Sequence, residues 1–283
     1  MKKILITGKG SFIGKNAKKW LGRKGHIVDE LEMQNENWKK FDFSKYDSII
    51  HVAGIAHVSA DPKMEELYLK VNRDLAIQTA EKAKKEGVKQ FIFMSSMIIY
   101  GKDGKIGEEK NITEATKANP IDCYGRSKLE ADLGIQKLND SEFKTVIIRT
   151  PMVYGPGCKG NFPKLKKIAK ISPIFPDIKN ERSMIYIDNL CEFFSKIIEL
   201  QCSGVFYPQN REYLSTKHII EILAETQKKK IHFTKTFNWI IKLLSKKVNY
   251  INKVFGNKTY NQNLMPEFDY IVVENDESIR RSI

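Results

Sequence analysis

Tyr124 and Lys128 stand one helical turn apart in CYGRSK, and a pair of serines, Ser95 and Ser96, closes the earlier apolar run QFIFMSS. A free tyrosine titrates near 10 and is a poor base at neutral pH. A lysine ammonium at i+4 shares its helical face, where the positive charge stabilises a phenolate. Such a tyrosine can take a proton from an alcohol while hydride leaves the same carbon, or return the proton in reverse. Ser96 would hold the reacting oxygen and share its proton. A Tyr–Lys pair at this spacing is also common on ordinary exposed helices. The catalytic reading therefore rests on the serine-ended strand before the pair and the amphipathic helix after it.

Hydride needs an acceptor, and the start of the chain carries a turn suited to one. In TGKGSFIG, directly behind ILI, Gly8 and Gly14 bracket a strand-to-helix turn. Positive φ and close backbone approach there would let a helix N-terminus face a pyrophosphate. The pattern departs from three regularly spaced glycines, with Ser11 at the middle position and Gly10 one residue early. The expected contacts to a dinucleotide are Gly8, Gly10, Ser11, Phe12, Ile13 and Gly14. Glu32 ends the second apolar run, where an acid can accept from both adenosine ribose hydroxyls. Asp42, in FDFS, is placed to receive the adenine amino group. Glu32 would repel a 2′-phosphate, which favours NAD over NADP. The ordinary alternative is a solvated carboxylate, with Asp29 and Glu30 close by. Ala53 and Gly54, in HVAGIAH, would let the cofactor lie close over a strand end, and Lys128 would hydrogen-bond the nicotinamide ribose.

These residues need a scaffold of alternating strands and helices. KKILIT, HIVDELE, YDSIIHVAG, VKQFIFMSS and KTVIIRT read as strands. SFIGKNAKKWLGRKG, a stretch from about Pro62 to Lys85, and SKLEADLGIQKL read as helices. Short apolar runs between amphipathic helices mean a parallel sheet covered on both faces. The expected fold is α/β: a Rossmann-type, doubly wound parallel sheet with a smaller C-terminal substrate-binding domain. The expected division gives 1–150 and 183–208 to the dinucleotide domain, and 151–182 and 209–283 to the substrate domain.

The 283 residues, 41% hydrophobic and 10% aromatic, can bury a proper core and exclude a disordered chain. No stretch approaches the ~20 apolar residues of a membrane helix. MKKILITG begins like a signal peptide, but its apolar run is short and breaks at Gly8. Cys123, Cys158, Cys191 and Cys202 have no metal-type or redox-pair spacing, so reduced thiols, a cytoplasmic location and no metal are expected. Cys158 sits in a glycine-rich loop with little to support a nucleophilic role. The net charge of +14 invites nucleic acid as a partner. Against that, lysines are spread along every expected helix, and no basic run exceeds Lys228, Lys229 and Lys230. The charge is taken as solvated surface, with no nucleic-acid partner expected.

The chain resembles an extended short-chain dehydrogenase/reductase of the NAD-dependent epimerase/dehydratase family. TGKGSFIG, HVAGIAH, KVNRD, FMSSMIIYG, CYGRSK, IIRTPMVYGPG and RSMIYIDNL carry the resemblance over most of residues 1–200. It implies catalytic roles for Ser96, Tyr124 and Lys128, and a structural, cofactor-proximal role for Asn72. It implies a substrate site of Ser96, Tyr124, Met152, Asn161 and Arg182, with Arg182 on a substrate diphosphate, an anion that suits a guanidinium fork. Met97 and Ile98 stand where dehydratases carry an Asp-Glu pair, so 4,6-dehydration is not expected. Met152 and Ala56 stand where hexose 4-epimerases usually carry asparagine and often lysine. The resemblance thus implies redox chemistry at C4 of a nucleotide-diphosphate sugar in surface-polysaccharide synthesis, with 4-epimerisation and 4-keto reduction both open. It also implies a possible homodimer through the Tyr–Lys helix.

Two other classes are weighed. A non-catalytic NAD(P)-binding sensor or scaffold would show erosion of Ser, Tyr or Lys, and all three are intact. FNWIIKLLSKKVNYINKVF is basic with aromatic anchors and could lie on an anionic membrane. The expectation is instead that Trp239, Ile240 and Leu243 pack inside the substrate domain and that the chain does not associate with membranes.

Overall fold

The computed structural model describes residues 1–55 and 64–283. β1 (Lys3–Thr7), α1 (Phe12–Arg23), β2 (Ile27–Leu31) and β3 (Ser48–His51) open the chain. α2 (Glu65–Tyr68) runs through a π-helical turn, Leu69–Asp74, into α3 (Leu75–Lys85). β4 (Gln90–Ser96), the short β5 (Asn111–Ile112), α4 (Cys123–Gln136) and β6 (Lys144–Thr150) follow. Beyond Thr150 come β7 (Met152–Tyr154), α5 (Phe162–Ile171), β8 (Ile174–Pro176), β9 (Met184–Tyr186), α6 (Ile187–Glu199) and β10 (Gly204–Phe206). The tail holds α7 (Thr216–Thr226), β11 (His232–Thr234), α8 (Asn238–Ser245), α9 (Asn249–Phe255), β12 (Thr259–Tyr260) and α10 (Asn275–Arg281).

Six strands pair in parallel in the order β2-β1-β3-β4-β6-β10. Parallel strands need crossovers, and the helices supply them on both faces. Successive residues of β1 serve opposite faces. Ile4 and Ile6 join Ile50, Ile92, Ile148 and α6 in one buried cluster, while Leu5 joins Ile49, Phe91, Ile147 and α3 in another. This is the Rossmann-type α/β fold. The order turns back between β1 and β3, so a crevice opens at their carboxyl ends, where open α/β sheets bind ligands.

Two features differ instructively from expectation. The Tyr–Lys helix begins at Cys123, before SKLEADLGIQKL, because the Asp122 carboxylate accepts from the Gly125 N–H at 2.7 Å and caps it. Tyr124 therefore lies in the first helical turn. The helix expected from about Pro62 is described from Glu65, and Pro62 and Ala56 lie outside the described residues. The larger departure is in α8: Trp239 is 68% and Leu243 58% exposed, while Ile240 and Ile241 are partly covered. Of the three residues expected inside the substrate domain, Trp239 and Leu243 are turned out and Ile240 is partly covered, because α8 packs through its isoleucine side.

The segments after Thr150 return repeatedly to the sheet. β7 pairs with β9, β10 extends the sheet beyond β6, and β12 pairs with β5. The last pairing brings residues near 260 against the loop that follows β4, where Met97, Ile99, Tyr100, Ile112 and Tyr260 form a third buried cluster.

Candidate active site

Gly8 leaves β1 with φ +91°, and a Cβ there would lie 2.9 Å from the Ala53 Cα. Only glycine lets the ends of β1 and β3 approach this closely. Gly10 follows with φ +78°. Ser11 caps α1, its hydroxyl accepting from the Gly14 N–H at 3.0 Å. That explains a serine at the middle position of the glycine pattern. Phe12 and Ile13 open the helix and pack against the buried cluster on that face of the sheet.

The acids hold different partners within the chain. Glu30, from within β2, accepts from the Gly10 N–H at 3.2 Å and pairs with Lys18. Glu32 turns onto its own backbone, accepting from Met33 N at 2.8 Å and Gln34 N at 3.2 Å. Asp42 caps its own turn through Ser44 and Lys45, and the Ser44 hydroxyl holds its carboxyl below the usual range. Thus Glu30, passed over in the sequence, is the carboxylate joined to the glycine turn. Side chains two apart on a strand share a face, so spacing does not separate Glu30 from Glu32.

At the carboxyl ends of β3 and β4 the other elements converge. A Cβ on Gly54 would lie 2.9 Å from Asn72 Oδ1 and 3.5 Å from Lys128 Nζ. Asn72, fully buried in the π-helical turn, clasps Ile55 by accepting from its N–H at 2.9 Å and donating to its carbonyl at 3.0 Å. It also donates to Ser127 Oγ at 3.2 Å. Lys128 is buried, donates to the Met94 carbonyl at 2.8 Å, and lies 4.8 Å from the Phe93 ring centre. Burial pushes its ammonium down to about 8, opposed by the Asp132 carboxylate.

The two serines separate cleanly. Ser95 donates to Asp132 at 2.8 Å, and the same carboxylate receives Arg149 Nε at 2.9 Å. Ser96 ends β4 and accepts from Ile98 N at 3.2 Å, and its hydroxyl favours the ionised form of the Tyr124 phenol. The Tyr124 ring packs 5.8 Å from that of Tyr68, centre to centre. Burial pushes the phenol up to about 12, and the Ser96 hydroxyl pulls it down. The expectation that Lys128 lowers the phenol therefore needs correction for the chain alone. Desolvation outweighs other influences on Tyr124, and the Lys128 ammonium donates to Met94.

Arg182 belongs to a separate cluster of charges. Its guanidinium donates to the Gly256 carbonyl at 3.0 Å and to Asp103 at 3.2 Å. Lys258, buried and pushed down to about 8 by burial, donates to Gly101 O at 2.5 Å and lies 3.7 Å from Asp103. Asp103 and Lys258 escaped the sequence reading, since residues this far apart in the chain leave no local pattern. Met152 is partly buried at the start of β7, opposite Met184. Asn161 precedes α5 without capping it. Burial pushes the Cys158 thiol up, away from a nucleophilic thiolate.

The family model for the NAD dependent epimerase/dehydratase family matches residues 4–207. The chain belongs to this family. It is 32% identical over 248 residues to a UDP-glucose 4-epimerase of Vibrio cholerae, covering 79% of this chain and 75% of that protein. It is 24% identical over 250 residues to an N-acetyl-α-D-glucosaminyl-diphospho-ditrans,octacis-undecaprenol 4-epimerase of Escherichia coli O157:H7, covering 81% and 73%. Among solved structures, a dTDP-4-dehydrorhamnose reductase of Clostridium acetobutylicum superposes with a TM-score of 0.77 at 19% identity, covering 99% of this chain and 98% of its own.

The chain is thus an NAD-dependent enzyme of the epimerase/dehydratase kind. The residues fit the cofactor. At Gly8 and Gly54, on either side of the switch point of the sheet, a Cβ would collide with the Ala53 backbone and with Asn72 Oδ1, so both turns carry no side chain where a cofactor would lie. His51 is fully buried beside them, its Nδ1 bonded to Thr7 Oγ1 at 2.9 Å and its Nε2 without a partner among the described residues.

Proposed function

We propose that this chain is an NAD-dependent 4-epimerase of a nucleotide-diphosphate sugar, serving synthesis of surface-polysaccharide precursors in the cytoplasm. The observation that carries the reading is that Ser96, at the end of β4, acts on the Tyr124 phenol at the head of α4, with Lys128 buried one turn on. The similarity to the Vibrio cholerae protein supports 4-epimerisation in particular.

Bound NAD supplies the hydride acceptor for the sugar carbon, held by the Gly8–Gly14 turn, Ala53, Gly54 and Lys128, with Glu32 and Asp42 toward the adenosine. Tyr124 removes the proton from the C4 hydroxyl and later returns it. Ser96 donates to the same oxygen, so negative charge spreads over two hydroxyls. The N-terminal turn of α4 favours a phenolate there through the helix dipole. Arg182 binds the substrate diphosphate, exchanging Asp103 for it, with Met152 and Asn161 against the sugar. We also assign substrate binding to 151–182 and 209–283, and the dinucleotide to 1–150 with 183–208.

A sugar diphosphate carried on a polyprenyl lipid, the substrate class named for the Escherichia coli relative, is a second reading, favoured by the exposed face of α8. Incubation with UDP-hexoses and UDP-N-acetylhexosamines, followed by proton NMR, tests the first. The expected result is inversion at C4. Tyr124→Phe lowers kcat by about 10²- to 10⁴-fold, the usual contribution of a positioned acid–base group. Unchanged turnover in that variant would remove Tyr124 from the chemistry.

A further inference from the structure

Between Glu225 and Glu267 the chain has nine lysines and no acidic residue. In the middle of this stretch α8 presents Phe237, Trp239, Leu243, Leu244, Val248 and Tyr250 to solvent, the last two in the turn to α9 and at its start. Lys235, Lys242, Lys246 and Lys247 are exposed among them. The helix is fixed from behind: Asn238 Nδ2 donates to the Asp177 carbonyl at 2.8 Å, and Ile240 and Ile241 face inward. Beside Trp239 opens a cleft of about 410 Å³, walled by Ile106 and Ile178 and rimmed by Lys179, Lys235 and Lys242. Asp177 at this rim is paired with Lys217 at 3.0 Å, so it leaves the basic character intact.

We propose that this face of α8 docks on an anionic phospholipid bilayer. Charge decides the occupant. A second copy of the chain would bring its own lysines against these, and protein interfaces are depleted in lysine at their cores. An anionic bilayer takes both components at once. The indole and leucines enter the boundary between headgroups and acyl chains, while the ammoniums stay in the phosphate layer on their flexible stems. Among the described residues no helix is long and apolar enough to cross a membrane, so the attachment is peripheral. The surface would bring the enzyme to a membrane whichever sugar it acts on.

The test uses the full chain and vesicles of phosphatidylglycerol and phosphatidylethanolamine in equal parts, with pure phosphatidylcholine vesicles as comparison. The protein is expected to sediment with the anionic vesicles at low salt, and to stay in solution with phosphatidylcholine or at high salt. Lys242→Gln and Lys246→Gln should each weaken partition about fivefold, the usual contribution of one basic side chain near such a surface. Trp239→Ser combined with Leu243→Ser should bring it to background, with an unchanged urea midpoint showing that the fold is intact. Wild-type protein left in solution beside anionic vesicles, or serine and lysine variants that sediment like wild type, would overturn the proposal. So would a dimer dissolved by these substitutions in a protein that binds no vesicles, which would make the face a self-interface.

Discussion

At Tyr124 two influences oppose each other, and burial prevails: the phenol is pushed up to about 12 although the Ser96 hydroxyl pulls it down. Lys128 is pushed the other way, down to about 8. At about 8 the Lys128 side chain still carries its charge at neutral pH while the phenol stays protonated, so the proposed chemistry depends on further positive charge arriving beside the phenol. The sequence displays the three side chains and their spacing. It does not display the Met94 carbonyl that holds the ammonium, because that contact belongs to the packing of α4 on β4. His51 offers a separate test at this scale. Burial holds its imidazole down to about 3, with the Lys128 charge as a lesser cause. The unfolded chain takes up a proton near 6.5, so between these values it binds more protons than the folded one. Stability is therefore complete at neutral pH and falls as pH drops through that window. Between pH 7 and pH 5 this amounts to about 2 kcal/mol, at about 1.4 kcal/mol per pH unit. Urea denaturation at the two pH values should show that loss in wild type and not in His51→Gln. Equal losses in both would mean that the imidazole does not carry it.

The elements are placed by a second set of buried polar groups. Asp132, fully buried one turn beyond Lys128, receives Ser95 from β4 and, through two oxygens, Arg149 from β6. Arg149 also donates to the hydroxyls of Tyr100 and Tyr207 at 2.8 and 3.1 Å. This ties α4 to two neighbouring strands, and Ser95 and Arg149 are register partners on those strands. Asp132→Ala leaves the Arg149 guanidinium without its carboxylate and should cost about 3–5 kcal/mol, read from the denaturation midpoint. Replacing the pair by Asp132→Leu with Arg149→Met should recover much of that loss, since a buried pair contributes little beyond what apolar packing gives. A single variant as stable as wild type would show that the pair does not hold α4. The spacing of Tyr124 and Lys128 was visible in the sequence as one helical face, which Asp132 continues. Its partners on β4 and β6 were not, because a strand's neighbours in a parallel sheet are set by crossovers.

For the whole molecule, the strands and the crevice at β1 and β3 were legible because short apolar runs alternate with amphipathic helices. The glycine turn and Ser96, Tyr124 and Lys128 belonged to that legible part. The partners of Arg182 were not: Asp103 and Lys258 meet it through long-range pairings, β12 on β5 and the bridge of Arg182 to Lys258. The exposed face of α8 was misjudged for a related reason. An amphipathic helix shows that one face is apolar, and only its neighbours decide whether that face is covered. The central claim concerns the cofactor, because a 4-epimerase returns hydride to the sugar it came from and can keep its NAD through every turnover. The most direct measurement is to denature the purified protein and quantify released NAD(H) against chain. The account predicts close to one equivalent, held through gel filtration. Chains that release none and turn over only when NADH is supplied would contradict it and make the enzyme a 4-keto-sugar reductase.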